Sequence, residues 1–183
     1  FERRDVTFPS QGSTCAAWYY VPAGLRPGET RPVIVMAHGY SGVKEQYLDN
    51  FASKFADAGF VVLVFDYRFL GASEGEPRQQ IFWYDQIKDY RNAITWASLQ
   101  PEVDVSLVGV WGSSYSGGQV IHLAAFDRRV KAGVAQVPAV GEWHHVAGTW
   151  DGSAITLYVD GSPVAATPFG GPIDFDANPL FIG

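Results

Sequence analysis

Hydrophobic and polar positions follow two different patterns along the 183-residue chain, and the change falls near Val140–Gly141. In the segment 1–140, short apolar runs alternate with stretches in which apolar residues recur at helical spacing. In the segment 141–183, apolar and polar residues alternate one by one, and Asp-Gly pairs interrupt the runs. The first pattern is typical of βαβ units with a mostly parallel sheet, and the second is typical of antiparallel strands.

The first segment is predicted to contain six strands separated by helices. The run Val61–Phe65 is continuously apolar, which is typical of a parallel strand that is covered on both faces. One predicted helix carries Tyr47, Phe51 and Phe55 at four-residue intervals, and a second spans about 85–99. The predicted strands are Val6–Phe8, Cys15–Val21, Val33–Ala37, Val61–Asp66, Ser106–Trp111 and Lys131–Val137.

The second segment is predicted to form three or four antiparallel strands. Its alternating runs are separated at Asp151-Gly152 and Asp160-Gly161, and Asp-Gly between alternating runs is a strong hairpin signal. The fold class expected for the whole chain is therefore α/β, with a doubly wound, mostly parallel sheet followed by a short antiparallel β-meander. We place the boundary between a first domain, 1–140, and a second, 141–183.

Composition and charge narrow the classes of partner. Hydrophobic residues make up 47% of the chain and charged residues 17%, which excludes intrinsic disorder. The net charge is −6, and the segment 141–183 holds five acids and no Lys or Arg, which argues against nucleic acid as a partner. No apolar run is long enough for a membrane span. The chain opens with Phe1 rather than Met, which favours a processed form or a fragment.

Neither a metal nor a cofactor is expected. The single cysteine, Cys15, excludes an internal disulfide and a cysteine-based metal site. The chain has no glycine-rich phosphate loop followed by Lys-Ser or Lys-Thr.

The strongest candidate for chemistry is Ser114. The strand Ser106–Trp111 runs into a glycine- and serine-rich turn and then an apolar helix, which is the context of a nucleophile elbow. Gly112 and Ser116 flank Ser114 at two residues' distance, so small neighbours permit a sharp turn. Ser113 and Ser116 are weaker candidates because neither lies between two small residues at the right distance from the strand. The alternative is a glycine-rich turn with no chemistry.

A second loop is expected to lie beside this turn. The strand Val33–Ala37 ends in His38-Gly39-Tyr40-Ser41-Gly42, from which a backbone N–H can point at the same place as the N–H of Tyr115. Two such donors form an oxyanion hole, and we assign them to Tyr40 and Tyr115. We interpret His38 as a residue that organises the loop rather than as a general base.

Residues of about 5–139 resemble the amino-terminal part of the α/β-hydrolase superfamily, especially its esterase, dienelactone-hydrolase and acetyl-xylan-esterase-like branch. The matching motifs are Val33–Tyr40, Phe65–Gly75 and Gly109–Gly118. The resemblance implies Ser114 as nucleophile, the amides of Tyr40 and Tyr115 as oxyanion donors, and a triad in the order Ser, Asp or Glu, His.

The acid and the base of such a triad are not fixed by the motifs, because the hydrolase pattern stops at Lys131–Val137. Glu142 and His144 lie two residues apart on a predicted strand, hence on one face, and keep the required order. We name them as candidate acid and base. The other acidic and histidine candidates are His122, Asp127 and His145.

The segment 141–183 resembles the closing portion of a laminin-G or concanavalin-like lectin jelly roll. The resemblance lies in Trp143–Gly152, Leu157–Gly161 and Asn178–Gly183. It implies that His144 and His145 belong to the core and hairpins of the sheet, and that a carbohydrate is a candidate ligand.

These observations favour a serine carboxyl-ester hydrolase that acts on a small ester through a Ser114 acyl-enzyme. Three alternatives remain. The chain is an inactive chimera or fragment without the triad acid and base; or it is a carbohydrate- or surface-binding module; or it is a homo-oligomer in which a second copy covers the sheet edges.

Overall fold

A computed structural model describes residues 1–137, 146–150, 154–159 and 162–168, and places them in nine strands and three helices. Every strand and helix expected in the first segment is present, with bounds that differ from the prediction at several ends. The elements are β1 (Glu2–Ser10), β2 (Ser13–Val21), β3 (Arg31–Ala37), α1 (Leu48–Asp57), β4 (Val61–Phe65), α2 (Trp83–Ser98), β5 (Val103–Ser113), α3 (Tyr115–Phe126), β6 (Val130–Gln136), β7 (Val146–Trp150), β8 (Ala154–Val159) and β9 (Ser162–Pro168).

The first six strands form one sheet in the order β1-β2-β4-β3-β5-β6. The strands β4, β3, β5 and β6 run parallel, while β1 and β2 form an antiparallel hairpin at one edge. Because β3 and β5 are neighbours and parallel, the loops that follow them emerge side by side. The fold class predicted from the sequence is confirmed.

Helices cover both faces of this sheet. In β4 the side chains of Val61, Leu63 and Phe65 belong to the core under α2 and α3, while Val62 and Val64 belong to the core under α1. All five are fully buried. The continuous apolar run of β4 therefore reflects burial on both faces, as the sequence predicts.

The helix α1 exists as predicted, and its fully buried residues are the small or aliphatic ones rather than the aromatic ones. Leu48, Ala52 and Ala56 face the sheet, whereas Tyr47 is exposed and precedes the first turn. Phe51 lies at the flank of the helix, with its ring 5.0 Å from that of Trp111. Small alanine side chains let the helix approach the sheet closely, and the larger rings are displaced to its sides.

The chain divides into two compact units, Phe1–Gly141 and Glu142–Gly183. In the second unit β7, β8 and β9 form an antiparallel sheet in which Val146 pairs with Val159 and Ala154 pairs with Pro168. This confirms the predicted meander, while both Asp-Gly pairs lie outside the described residues. No helix in the described ranges is long and apolar enough to cross a membrane.

Candidate active site

Ser114 is the one residue between the end of β5 and the start of α3, and its backbone is in an unusual conformation. Its φ is 55° and its ψ is −118°, a combination that residues other than glycine rarely adopt. The Ser114 N–H donates to the Gln136 carbonyl at 2.8 Å, and the Gly118 N–H donates to the Ser114 carbonyl at 3.3 Å. Hydrogen bonds from Ser114 to β6 and from α3 to Ser114 thus hold both peptide groups of this residue in place.

The turn is so tight that position 112 has no room for a side chain. A Cβ added to Gly112 would lie 2.6 Å from the Ser116 carbonyl carbon and 2.9 Å from the Ser116 Cβ. Such distances are far below van der Waals contact, and the atoms facing Gly112 are mostly backbone. The glycine of the G-x-S-x-S pattern is therefore a steric requirement of the turn.

The loop after β3 lies directly against Ser114. A Cβ added to Gly39 would lie 3.1 Å from the Ser114 Cβ and 3.7 Å from the Ser114 Oγ. The loop is anchored by the buried carboxylate of Asp66, which accepts hydrogen bonds from the Lys44 amide at 2.6 Å and the Lys44 Nζ at 2.8 Å. The same carboxylate accepts from the Ala72 amide at 3.0 Å and so joins the loops after β3 and β4.

The backbone amides of Tyr40 and Tyr115, in the loop after β3 and at the start of α3, make no backbone hydrogen bond of the turn or loop kind in the described residues. Tyr115 is the first residue of α3, and the amides of a first helical turn have no acceptor within the helix. The helix also places partial positive charge at this end. Within residues 1–137, the backbone hydrogen bonds of the turns, loops and helix caps include none that is donated by the amide of Tyr40 or of Tyr115.

Aromatic rings stand beside these amides. The Tyr40 and Tyr115 rings meet edge to face with centroids 5.5 Å apart, and the Trp83 ring meets Tyr115 in the same way at 5.3 Å. Tyr40 is 65% exposed, so part of this surface is open to a ligand. Trp83 is the first residue of α2, and its ring reaches Tyr115 at the start of α3 because the fold packs these two helices together.

His38 is buried behind the loop that it begins. Its Nδ1 lies 2.9 Å from the Gly39 carbonyl, and its Nε2 lies 3.9 Å from the Asp66 Oδ1. Burial lowers the pKa of His38, chiefly because the charged ring would lose its hydration. A neutral ring with its proton on Nδ1 donates to the Gly39 carbonyl.

Acidification is expected to destabilise the folded chain through His38. Because its pKa is lowered on folding, the unfolded chain binds more protons as the pH falls through the ordinary histidine value of 6.5, and the free energy of unfolding decreases. Urea unfolding at about pH 7.5 and about pH 5.5 should show this loss, and His38→Gln should reduce it. His122→Gln is the comparison: burial lowers the pKa of His122 too, but this residue is partly exposed, so its removal should reduce the pH dependence less. Equal pH dependence in wild type and His38→Gln would contradict the assignment.

Among the candidate acids and bases in the part of the chain that the structure describes, Asp127 and His122 are both engaged away from Ser114. Asp127 follows the last residue of α3, about 18 Å along the helix from Ser114. Its Oδ2 pairs with Arg129 at 2.6 Å, and this hydrogen bond lowers the pKa of Asp127. The His122 ring packs on Phe126 at 4.8 Å. Glu142, His144 and His145 lie outside the described residues, so the Glu142–His144 pair stays a prediction.

Comparison with known proteins identifies relatives of this arrangement. A family model described as X-Pro dipeptidyl-peptidase (S15 family) matches residues 12–159. The quorum-quenching protein AidA of Acinetobacter baumannii is 40% identical over 134 residues, which cover 73% of this chain and 43% of AidA. The α/β hydrolase GrgF of Penicillium has a similar structure, with a TM-score of 0.70, 32% identity and coverage of 75% of this chain and 46% of GrgF.

An acetyl xylan esterase from Paenibacillus is also similar, with a TM-score of 0.65, 27% identity and coverage of 74% of this chain and 48% of the esterase. The chain thus spans less than half the length of each of these three proteins. The α/β-hydrolase resemblance seen in the sequence is confirmed. The laminin-G resemblance of residues 141–183 has no support among these proteins and stays a prediction.

Proposed function

Since the chain belongs to the X-Pro dipeptidyl-peptidase (S15) family, we propose that it is part of a serine hydrolase that cleaves carboxylic esters through an acyl-enzyme on Ser114. The observation that carries the proposal is the backbone of Ser114. A serine with φ of 55° at a strand-to-helix turn is held in a rare conformation by a tightly packed frame. Such conformations persist where the surrounding structure imposes them and cluster at active sites.

The proposed reaction begins with attack of the Ser114 Oγ on the ester carbonyl carbon. A base takes the hydroxyl proton, and the carbonyl oxygen becomes an oxyanion that accepts hydrogen bonds from the Tyr40 and Tyr115 amides. Collapse of this intermediate breaks the bond to the alcohol, which leaves with the proton. Water then attacks the acyl-enzyme, releases the carboxylic acid and restores Ser114. Glu142 and His144 are the proposed acid and base.

Esters rather than peptides are proposed as substrates, and two features support this choice. One similar structure is an acetyl xylan esterase, whose name gives an ester as its substrate. The aromatic surface of Tyr40, Tyr115 and Trp83 beside the amides fits an apolar part of a small ester.

The proposal is tested by brief exposure of the folded chain to p-nitrophenyl acetate. We expect release of nitrophenol in a burst equal in amount to the protein, and transfer of one acetyl group to the peptide that contains Ser114. An X-Pro p-nitroanilide, tested in parallel, should react far more slowly. Peptide mass spectrometry locates the acetyl group, and urea-unfolded chain is the control. Acetylation that is equal in folded and unfolded chain, or that avoids Ser114, would contradict the proposal and favour an inactive fragment.

A further inference from the structure

Ser116 lies two residues beyond Ser114 and is completely buried under the turn. Its hydroxyl donates a hydrogen bond to the His38 carbonyl and lies 2.6 Å from the Tyr67 hydroxyl and 3.4 Å from the Gln119 Oε1. A serine in this position is therefore not free to act as a second nucleophile. Its one proton is committed to the carbonyl of the loop after β3.

The Ser116 hydroxyl belongs to a chain of buried polar groups. The Tyr67 hydroxyl donates to the Gln119 Oε1, and the Gln119 Nε2 donates to the Gln86 Oε1 at 2.7 Å. Tyr67, Ser116 and Gln119 are fully buried and Gln86 is nearly so. Burial raises the pKa of Tyr67 well above its usual value, so its hydroxyl stays protonated and acts as a donor. The chain joins α2, α3 and the segment after β4.

At the Ser116 end of this hydrogen-bond network, contacts fix the orientation of the two peptide groups that precede Tyr40. Ser116 fixes the carbonyl of His38, and the His38 Nδ1 lies 2.9 Å from the carbonyl of Gly39. In a trans peptide the carbonyl and the following N–H point in opposite directions. The contact to the Gly39 carbonyl therefore fixes the direction of the Tyr40 N–H. The hydrogen bond to the His38 carbonyl fixes the preceding peptide group, between His38 and Gly39.

The Tyr67 ring supports the same residue from another side. Its centroid is 5.0 Å from that of the His38 ring, in an edge-to-face arrangement. Tyr67 thus contacts the His38 ring directly and reaches the His38 carbonyl through Ser116. His38 is held by its ring and by its carbonyl, while Gly39 packs against Ser114.

We propose that Ser116 is a positioning residue, which together with Tyr67 and Gln119 holds the His38–Tyr40 turn so that the Tyr40 amide points at the carbonyl attacked by Ser114. This inference rests on the proposed function, because it assumes that Ser114 is the nucleophile. The tight turn requires only a small residue at position 116, so the proposal gives the hydroxyl of Ser116 a role of its own. A hydroxyl in this position joins the turn of the nucleophile to the loop of the oxyanion donor.

The test is Ser116→Ala in the full chain, which removes the hydroxyl and keeps the Cβ that faces Gly112. The rate of labelling of Ser114 by a fluorophosphonate is expected to fall by about 10–100-fold, because a small displacement of an oxyanion donor has effects of this size. Amide hydrogen exchange should become about tenfold faster at Gly42 and Lys44, the buried amides of the loop after β3 that donate to the Gly39 carbonyl and to Asp66.

Two further variants separate positioning from stability. Tyr67→Phe removes a partner hydroxyl and keeps the ring, and its effect on labelling should overlap with that of Ser116→Ala, so the double variant loses less than the product of the two. It also replaces Ser116→Ala as the test if that variant does not fold. Tyr19→Phe is the control, because it removes the hydroxyl of another buried tyrosine, which donates to the Glu102 carboxylate at 3.2 Å and takes no part in the Ser116 network. Its labelling rate should equal that of the wild type.

The outcomes distinguish this inference from the proposed function. If the wild type is labelled and Ser116→Ala is labelled equally fast, the positioning role is wrong while the proposed function stands. If the folded wild type is not labelled, the proposed function fails and hydrogen exchange decides. Faster exchange at Gly42 and Lys44 in Ser116→Ala then supports the positioning of the loop, and unchanged exchange overturns it.

Discussion

Replacing Ser114 by alanine is expected to abolish covalent labelling by a fluorophosphonate and to lower ester turnover by at least about 10⁴-fold. The substitution removes the Oγ that attacks the carbonyl and keeps the Cβ, so the packing against Gly39 is retained. The free energy of unfolding should change little, because the substitution removes a single oxygen atom and keeps the Cβ that packs against Gly39. Labelling is measured by peptide mass spectrometry, and turnover is measured with a p-nitrophenyl ester.

Ser113→Ala is the matched control for this prediction. Ser113 is the last residue of β5 and directly precedes Ser114, but its backbone belongs to the strand. Its loss should leave labelling within about threefold of the wild-type rate. Labelling that persists in Ser114→Ala, or that disappears in Ser113→Ala alone, would show that the nucleophile has been assigned to the wrong serine.

Replacing Gly112 by alanine is expected to destabilise the fold by about 3 kcal/mol or more. The new Cβ would have to occupy space within 2.6 Å of the Ser116 carbonyl carbon, which belongs to the first turn of α3. The helix can give way only by moving Ser114 and Ser116, so the labelling of any folded fraction should fall as well. Urea unfolding followed by circular dichroism measures the first effect, and fluorophosphonate labelling measures the second.

Gly109→Ala controls for the general cost of a methyl group in β5. A Cβ added to Gly109 would lie 3.6 Å from its nearest neighbour, the Val33 carbonyl oxygen, which is an ordinary contact. We expect a change in the free energy of unfolding within about 1 kcal/mol. If the two variants lose the same stability, the tight packing under the Ser114 turn is not the reason for the glycine.

Local sequence patterns were sufficient to predict the fold of the first unit. The apolar run of β4 has side chains that enter the core on both faces of the sheet, and only a central strand has that environment. Patterns were insufficient for α1, because the spacing of Tyr47, Phe51 and Phe55 predicts a helix but does not say which residues lie fully buried against the sheet. The distance between helix and sheet favours the small Ala52 and Ala56 there, and that distance is a property of the packed structure.

The sequence alone also determined the position of Ser114, because the strand, the small residues and the helix that define its turn are contiguous. The tertiary structure alone decided what surrounds it. Tyr67 lies 49 residues before Ser116, and His38 lies 78 residues before it, so their contact depends on the order of β3, β4 and β5 in the sheet. A local sequence pattern can predict the turn around Ser114, because all its residues are contiguous. Hydrogen bonds between distant loops form only when the sheet brings those loops together.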